Sequence, residues 1–187
     1  MLYFIPPTER FQFLLALGRG FKYVLPAHLS KKIPAKPNVE QRIETSHARK
    51  MIVFEGCVQP ATNPEINNAT ARILDKLGIN LIHIKEAGCC GAMHHHMSEN
   101  KTTVKMLTQN IDAWWPHIES GAEAIVMTAS GCGVMLKDYA DLLKHDQQDA
   151  DKAKRISEMT KDISEIISAE SGDVFENQGQ GRKVAFQ

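Results

Sequence analysis

Three times between residues 51 and 133 an apolar run of strand length ends in a turn that pairs glycine with cysteine. Met51-Ile52-Val53-Phe54 leads into Gly56-Cys57, and Asn80-Leu81-Ile82-His83-Ile84-Lys85 leads into Gly88-Cys89-Cys90-Gly91. Ala124-Ile125-Val126-Met127-Thr128-Ala129 leads into Gly131-Cys132-Gly133. Helical periodicity follows each turn. After the first, Asn63-Pro64-Glu65 supplies an N-cap, a first-turn proline and an acidic first turn in the order that starts a helix. Ile66, Ala69, Ile73, Leu74 and Leu77 then share a face up to Gly78. After the second, Val104, Leu107, Ile111, Trp114 and Ile118 mark a long helix that closes near Gly121. Strands alternating with helices at these lengths predict parallel βαβ crossovers, hence an α/β fold: a parallel sheet with helices on its faces. Right-handed crossovers place every strand-to-helix turn on the same carboxyl edge, where such sheets hold ligands. The four cysteines of the chain, Cys57, Cys89, Cys90 and Cys132, are therefore expected at one site.

The remaining segments frame this core. Residues 1–50 read as a helical arm and linker, with Phe11, Leu14 and Leu15, then Phe21, Val24 and Leu25, on two short helices joined at Gly18 and Gly20. Lys31 to Pro37 reads as extended, because each proline biases its predecessor away from helix. Residues 51–171 form the main unit. Within it Val134–Leu143 is expected to be helical, and Ala150–Ala169 is expected as one amphipathic helix. Residues 172–187 read as a flexible link at Gly179-Gln180-Gly181, then a strand over Arg182–Phe186. That strand would open a further unit whose turn is missing, as in a truncated chain.

Charge is balanced overall, at 22 basic and 22 acidic residues. It is uneven along the chain: residues 1–50 carry nine basic and three acidic side chains, the remainder 13 and 19. A basic arm of this kind fits a partner, an acidic lipid surface or the chain's own acidic body. The basic residues neither form a run nor alternate with stacking aromatics, so no nucleic-acid partner is expected. No apolar stretch reaches the ~20 residues needed to cross a bilayer, and the short run Phe11–Leu17 lacks a cleavage site of signal-peptide type. The chain is read as cytoplasmic, either free or peripheral to the inner membrane.

Four cysteines in such a chain are better read as ligands or redox groups than as a disulfide framework. Thiolates near helix N-termini and backbone N–H groups are stabilised and bind soft metals. Their number meets the need of an iron–sulfur cluster or of a zinc ion. Adjacent side chains diverge, so Cys89-Cys90 suits a cluster with several metal atoms better than one tetrahedral ion. A redox disulfide is the third option, weakened by the absence of Cys-x-x-Cys and by the strain of a vicinal bridge.

Gly56-Cys57, Gly88-Cys89-Cys90-Gly91 and Ser130-Gly131-Cys132-Gly133 resemble the cysteine-rich CCG domain of glycolate oxidase iron–sulfur subunits, lactate-utilisation proteins and heterodisulfide reductases. Phe54-Glu55-Gly56-Cys57-Val58-Gln59-Pro60, Asn110-Ile111-Asp112-Ala113-Trp114-Trp115-Pro116-His117 and Ile125–Met135 resemble the glycolate oxidase iron–sulfur subunits in particular. The likeness runs from the arm to about Ala169. It implies that Cys57, Cys89, Cys90 and Cys132 hold an iron–sulfur cluster of 4Fe–4S type, with zinc as the alternative. It also implies flavin-bearing partner subunits that oxidise glycolate to glyoxylate, with electrons passing toward a quinone-type acceptor. The chain is then an electron-transfer subunit that performs no substrate chemistry alone; a non-redox docking module that assembles the flavin subunits is the alternative. Met135 stands where the family's fullest motif has a further cysteine, which limits the expected ligation to four thiolates. The ferredoxin-like run of cysteines and a second cysteine-rich half, usual in that family, have no counterpart here.

Other residues receive plainer readings. His94-His95-His96 follows the cysteine turn, but three neighbours cannot face one ion, and exposed polar placement is favoured. Of Trp114 and Trp115, which point about 100° apart on a helix, one is expected in the core and the other at its edge. Glu86, Asp112 and Glu119 have no paired acid or nucleophile at a recognisable spacing.

Overall fold

The computed structural model describes residues 8–31, 33–34, 46–170 and 172. The three apolar runs form parallel strands: β1 (Arg49–Val53), β2 (Ile79–His83) and β3 (Ile125–Met127). A fourth, β4 (Thr160–Asp162), completes the order β2-β1-β3-β4. Val53 lies opposite His83 on one side and Val126 on the other, and Val126 lies opposite Lys161.

Ten helices accompany the strands among the described residues. In the first half lie α1 (Thr8–Gly20), α2 (Ala27–Ser30), α3 (Gln59–Thr62), α4 (Pro64–Lys76) and α5 (Ala92–His96). In the second lie α6 (Asn100–Glu119), α7 (Ser130–Lys137), α8 (Tyr139–Leu142), α9 (Ala150–Met159) and α10 (Ile163–Glu170). Helix α4 stops as its sequence predicts, at Gly78 with φ +71°, a conformation that glycine adopts without a Cβ penalty.

The period-two alternation of the strands sorts their side chains onto two cores. Met51, Val53, Leu81 and Val126 pack with Ala71 and Leu74 of α4 and Ile166 of α10. Ile52, Phe54, Ile125 and Met127 pack with Leu107, Ile111 and Trp114 of α6 and with Ile156 of α9. The sheet is thus covered on both faces, as a parallel sheet requires. Trp114 is fully buried and meets Phe54 edge-on, with ring centroids 5.5 Å apart. Trp115 is only partly buried, donates to Glu119 Oε1 at 2.9 Å and lies under the Lys152 ammonium. At the opposite edge of the sheet from the cysteine turns, Arg49 at the start of β1 bridges Glu123 and Glu170 at 2.6 and 2.7 Å.

Two expectations are corrected. Ala150–Ala169 is not one helix, because Thr160-Lys161-Asp162 extends and pairs with β3. The switch is locally encoded: the Thr160 hydroxyl donates to the Ile156 carbonyl, while Asp162 accepts from Ser164 N–H and Glu165 accepts from Asp162 N–H. The two bonds cap the N-terminus of α10 in the manner of a capping box, with Ser164 N–H in place of Glu165 N–H. In the arm, α1 runs through Gly18 to Gly20, and Phe21–Leu25 is a series of turns, with α2 beginning only after Pro26. Arg19 fastens α1 to the body by donating to the Pro34 and Ala61 carbonyls, each at 3.1 Å. The strand expected over Arg182–Phe186 lies outside the described residues, as does most of the Lys31–Pro37 linker.

Candidate metal centre

The strand order fixes where a site can form. From β1 the chain moves outward to β2, then returns past β1 to β3. The carboxyl ends of β1 and β3 therefore flank the point where the winding reverses, the usual ligand crevice of such sheets. A cleft of about 270 Å³ opens there, walled by Phe54, Val58, Ile66 and Ala129, with Cys57 and Cys132 on its surface.

The structure brings all four cysteines to this edge. Cys89 and Cys90 are buried, and Cys57 and Cys132 are partly so. Cys90 Sγ stands 3.4 Å from Cys132 Sγ, and Cys89 lies close enough to Cys57 and Cys90 for each thiol to shift the proton affinity of the others. The four thiols thus form one interacting cluster. Its protons are unequally held. The contact with Cys89 raises the Cys57 thiol, and those with Cys132 and Cys89 raise Cys90, both helped by burial. The same contacts lower Cys89 and Cys132, which are the favoured thiolates.

Two polar assemblies hold the loops that carry these thiols. Asn110 of α6, fully buried, accepts from Gly88 N–H at 2.7 Å and donates to the Cys89 carbonyl at 2.9 Å and the Tyr139 hydroxyl at 3.0 Å. Tyr139, also fully buried, donates in turn to the Cys90 carbonyl at 3.2 Å. The backbone of the vicinal pair is thereby anchored from behind, leaving its sulfurs free to converge. On the other side, Gln59 donates to Thr128 Oγ1 at 2.7 Å and to Asn67 Oδ1 at 2.8 Å. Gln59 lies two residues after Cys57, and Thr128 four before Cys132, so this bond ties the first turn to the third. Sequence reasoning missed Asn110 and Tyr139. The signal was available for Asn110, which sits three residues after Leu107 and four before Trp114 on the apolar face of α6.

Gly91 turns the chain into α5 with φ +89°, and a Cβ there would meet Leu107 Cδ1 at 2.9 Å and Met135 Cε at 3.6 Å. Met135 is therefore a packing residue under the vicinal turn. Glu55 and His83, at the ends of β1 and β2, pair at 2.8 Å.

The histidine run behaves otherwise than expected. His96 is exposed and His95 partly so, but His94 is buried at 6% exposure. The turn of α5 that follows Gly91 rotates it inward, near Cys89, whose thiol it helps to lower as the smallest of several causes. Its Nδ1 has no hydrogen-bond partner; among the described residues the other such buried side-chain atom is Trp114 Nε1. An orphaned buried polar atom of this kind costs about 1–3 kcal/mol.

Chemically, the site offers an all-sulfur donor set from three loops, set in an apolar wall. Among the described residues no three His, Cys, Asp or Glu side chains are arranged to hold a single metal ion. Four thiols from three loops meet the ligand number of an iron–sulfur cluster.

Residues 51–137 match the CCG cysteine-rich domain family. Over 183 residues the chain is 40% identical to the glycolate oxidase iron–sulfur subunit of Escherichia coli strain K12, covering 97% of this chain and 45% of that protein. It is 29% identical over 159 residues to the probable glycolate oxidase iron–sulfur subunit of Bacillus subtilis strain 168, covering 79% and 35%. It is 27% identical over 118 residues to lactate utilization protein A of Bacillus pumilus, covering 63% and 48%. The chain thus spans about half or less of the length of these relatives. No solved structure gives a significant match.

Proposed function

The chain carries a CCG cysteine-rich domain over residues 51–137, and from that premise we propose that it is part of the iron–sulfur subunit of a glycolate oxidase-type complex. Cys57, Cys89, Cys90 and Cys132 hold an iron–sulfur cluster of 4Fe–4S type. The observation that carries this reading is the convergence of four free thiols from three separate strand-to-helix turns on one sheet edge, with Cys90 Sγ 3.4 Å from Cys132 Sγ. When bound, such a group supplies one-electron transfer between a flavin-bearing subunit that oxidises glycolate and a quinone-type acceptor. The protein's own contribution is positional. Asn110 and Tyr139 fix the vicinal pair, Gln59 and Thr128 fix the outer two turns against each other, and Phe54, Val58, Ile66 and Ala129 wall the site with apolar surface.

In this reading residues 51–171 are the electron-transfer unit, and residues 1–50 are an arm that meets a flavin-bearing subunit. The exposure of Phe13, Leu17, Phe21, Tyr23 and Val24 on the arm supports such docking. Among the described residues no helix is long and apolar enough to cross a membrane.

Anaerobic reconstitution of the full chain with iron and sulfide tests the proposal. The expected result is iron and acid-labile sulfide in equal amounts, an EPR signal on reduction, and loss of both in each of the four Cys→Ser variants. One zinc per chain with no sulfide uptake would overturn it and favour the docking module.

A further inference from the structure

The orphaned nitrogen of His94 lies in a place that the four-thiol reading leaves unexplained. The imidazole is buried at 6% exposure on α5, the helix that begins directly after Cys89-Cys90-Gly91. Of its neighbours in the histidine run, His95 is partly buried and His96 is exposed. Its backbone is used normally, since the His94 carbonyl accepts from Glu99 N–H at 2.9 Å. The Nδ1 atom of the ring, buried from solvent, has no hydrogen-bond partner. Buried polar atoms are almost always paired, and an unpaired one calls for an explanation, a redox role or an unplaced partner among them.

We propose that His94 Nδ1–H is a hydrogen-bond donor to a sulfur of the group that the four cysteines hold, which makes His94 a positioning residue that tunes its potential. This inference rests on the cluster reading above and adds a fifth side chain to it. The chemistry selects the tautomer. The sulfurs of a thiolate-held cluster are electron-rich and present only acceptors, so a ring facing them must carry its proton on Nδ1. A ring with a bare Nδ1 would turn its lone pair against sulfur lone pairs. The electrostatic influence of His94 on Cys89 is consistent with this placement. Hydrogen bonds to the sulfurs stabilise the more negative, reduced state, and they are among the levers by which a protein sets the potential of such a centre. Direct ligation is the less economical use of the ring, because four thiolates already complete the ligand set.

The test uses the full chain, reconstituted anaerobically, with two readouts other than activity. First, the midpoint potential is compared among wild type, His94→Leu and His94→Gln, with iron and sulfide counted in each. The expectation is equal loading, a shift to more negative potential in His94→Leu, and partial return in His94→Gln, which keeps an N–H donor. Equal potentials in all three at equal loading would overturn the proposal. Second, wild type grown with ¹⁵N-histidine is reduced and examined by pulsed EPR. A weak histidine nitrogen coupling, too small for a metal–nitrogen bond, is expected. Absence of any histidine coupling, or a strong coupling from direct ligation, would overturn the proposal even where His94→Leu fails to fold. A wild-type chain that takes up no iron and sulfide defeats the cluster reading itself, and this inference with it. A loaded wild type with unchanged variants defeats the inference alone.

Discussion

The Asn110 amide donates to the Tyr139 hydroxyl at 3.0 Å, so one buried contact joins α6 to α8 behind the backbone of the vicinal cysteines. Each partner also holds one cysteine carbonyl, Asn110 that of Cys89 and Tyr139 that of Cys90. Neither residue carries a thiol, yet together they decide where two of the four thiols stand.

Removing that pair is expected to show in stability as well as in loading. Asn110→Ala leaves Gly88 N–H and the Cys89 carbonyl without partners in a buried setting, a loss of about 2–4 kcal/mol. Tyr139→Phe deletes a single hydroxyl and is expected to cost about 1–2 kcal/mol. Urea unfolding of the apo chain measures both, and iron uptake should fall in the same order. A neutral Asn110→Ala would show that the loop is held by other means.

Gly91 and Gly78 form a matched pair for testing close packing. Both have positive φ, but a Cβ at Gly78 meets nothing within 4 Å, whereas at Gly91 it meets Leu107 Cδ1 at 2.9 Å. Leu107 is fully buried, so its terminal methyl must shift within the packed core to make room. Gly78→Ala therefore carries the backbone strain alone, about 1 kcal/mol, and Gly91→Ala is expected to cost about 2–3 kcal/mol. Equal losses would place the whole effect in the backbone.

Asp162→Ala probes the strand that interrupts the last helical region. It removes the side-chain acceptor for Ser164 N–H while leaving β4 its backbone pairing. A loss of about 1 kcal/mol is expected from the lost cap. Circular dichroism should show a small reduction in helix, and amide exchange should quicken at the start of α10.

Much of this architecture was legible because its signals are local and repeated. Apolar runs ending in glycine, and the Asn63-Pro64-Glu65 start, marked three strand–turn–helix units, and crossover handedness then placed the cysteines on one edge. Strand β4 was hidden because Ile156, Met159, Ile163 and Ile166 keep a helical phase across it, and three residues are too few to break the pattern. The Asp162-x-x-Glu165 spacing was its one local sign. His94 was illegible for a different reason. Three identical neighbours carry no periodic cue, and only the tight turn at Gly91 decides which of them faces inward. Asn110 was overlooked because a polar residue on an apolar helical face was not read as a buried anchor.

The Arg49 bridge gives a pH dependence with a definite sign. Hydrogen bonding to Arg49 lowers the pKa of Glu170 below its ordinary 4.5. A depressed carboxylate contributes stability above its unfolded value and loses it as pH falls through the folded one. Stability of the apo chain should therefore decline below pH 4.5, and Glu170→Gln should flatten that decline. The bridge is partly exposed, so the effect is expected to stay below about 1 kcal/mol. Denaturant midpoints measured between pH 3 and pH 6 would reveal it, and parallel curves for the two proteins would assign the acid loss elsewhere.

The position of β1 between β2 and β3 also dictates the order in which the thiols can meet. The first two strand–helix units can pair as soon as both exist, and they bring Cys57, Cys89 and Cys90 with them. Cys132 joins only when β3 docks on the far side of β1, after a crossover spanning all of α6. In a growing chain β1, β2 and their three cysteines are made before β3 and Cys132. Until β3 is present the cleft between β1 and β3 does not exist, and those three thiols lack both their fourth partner and one wall of the site. Enclosure of the sulfurs thus depends on the strand order as well as on the residues of the site.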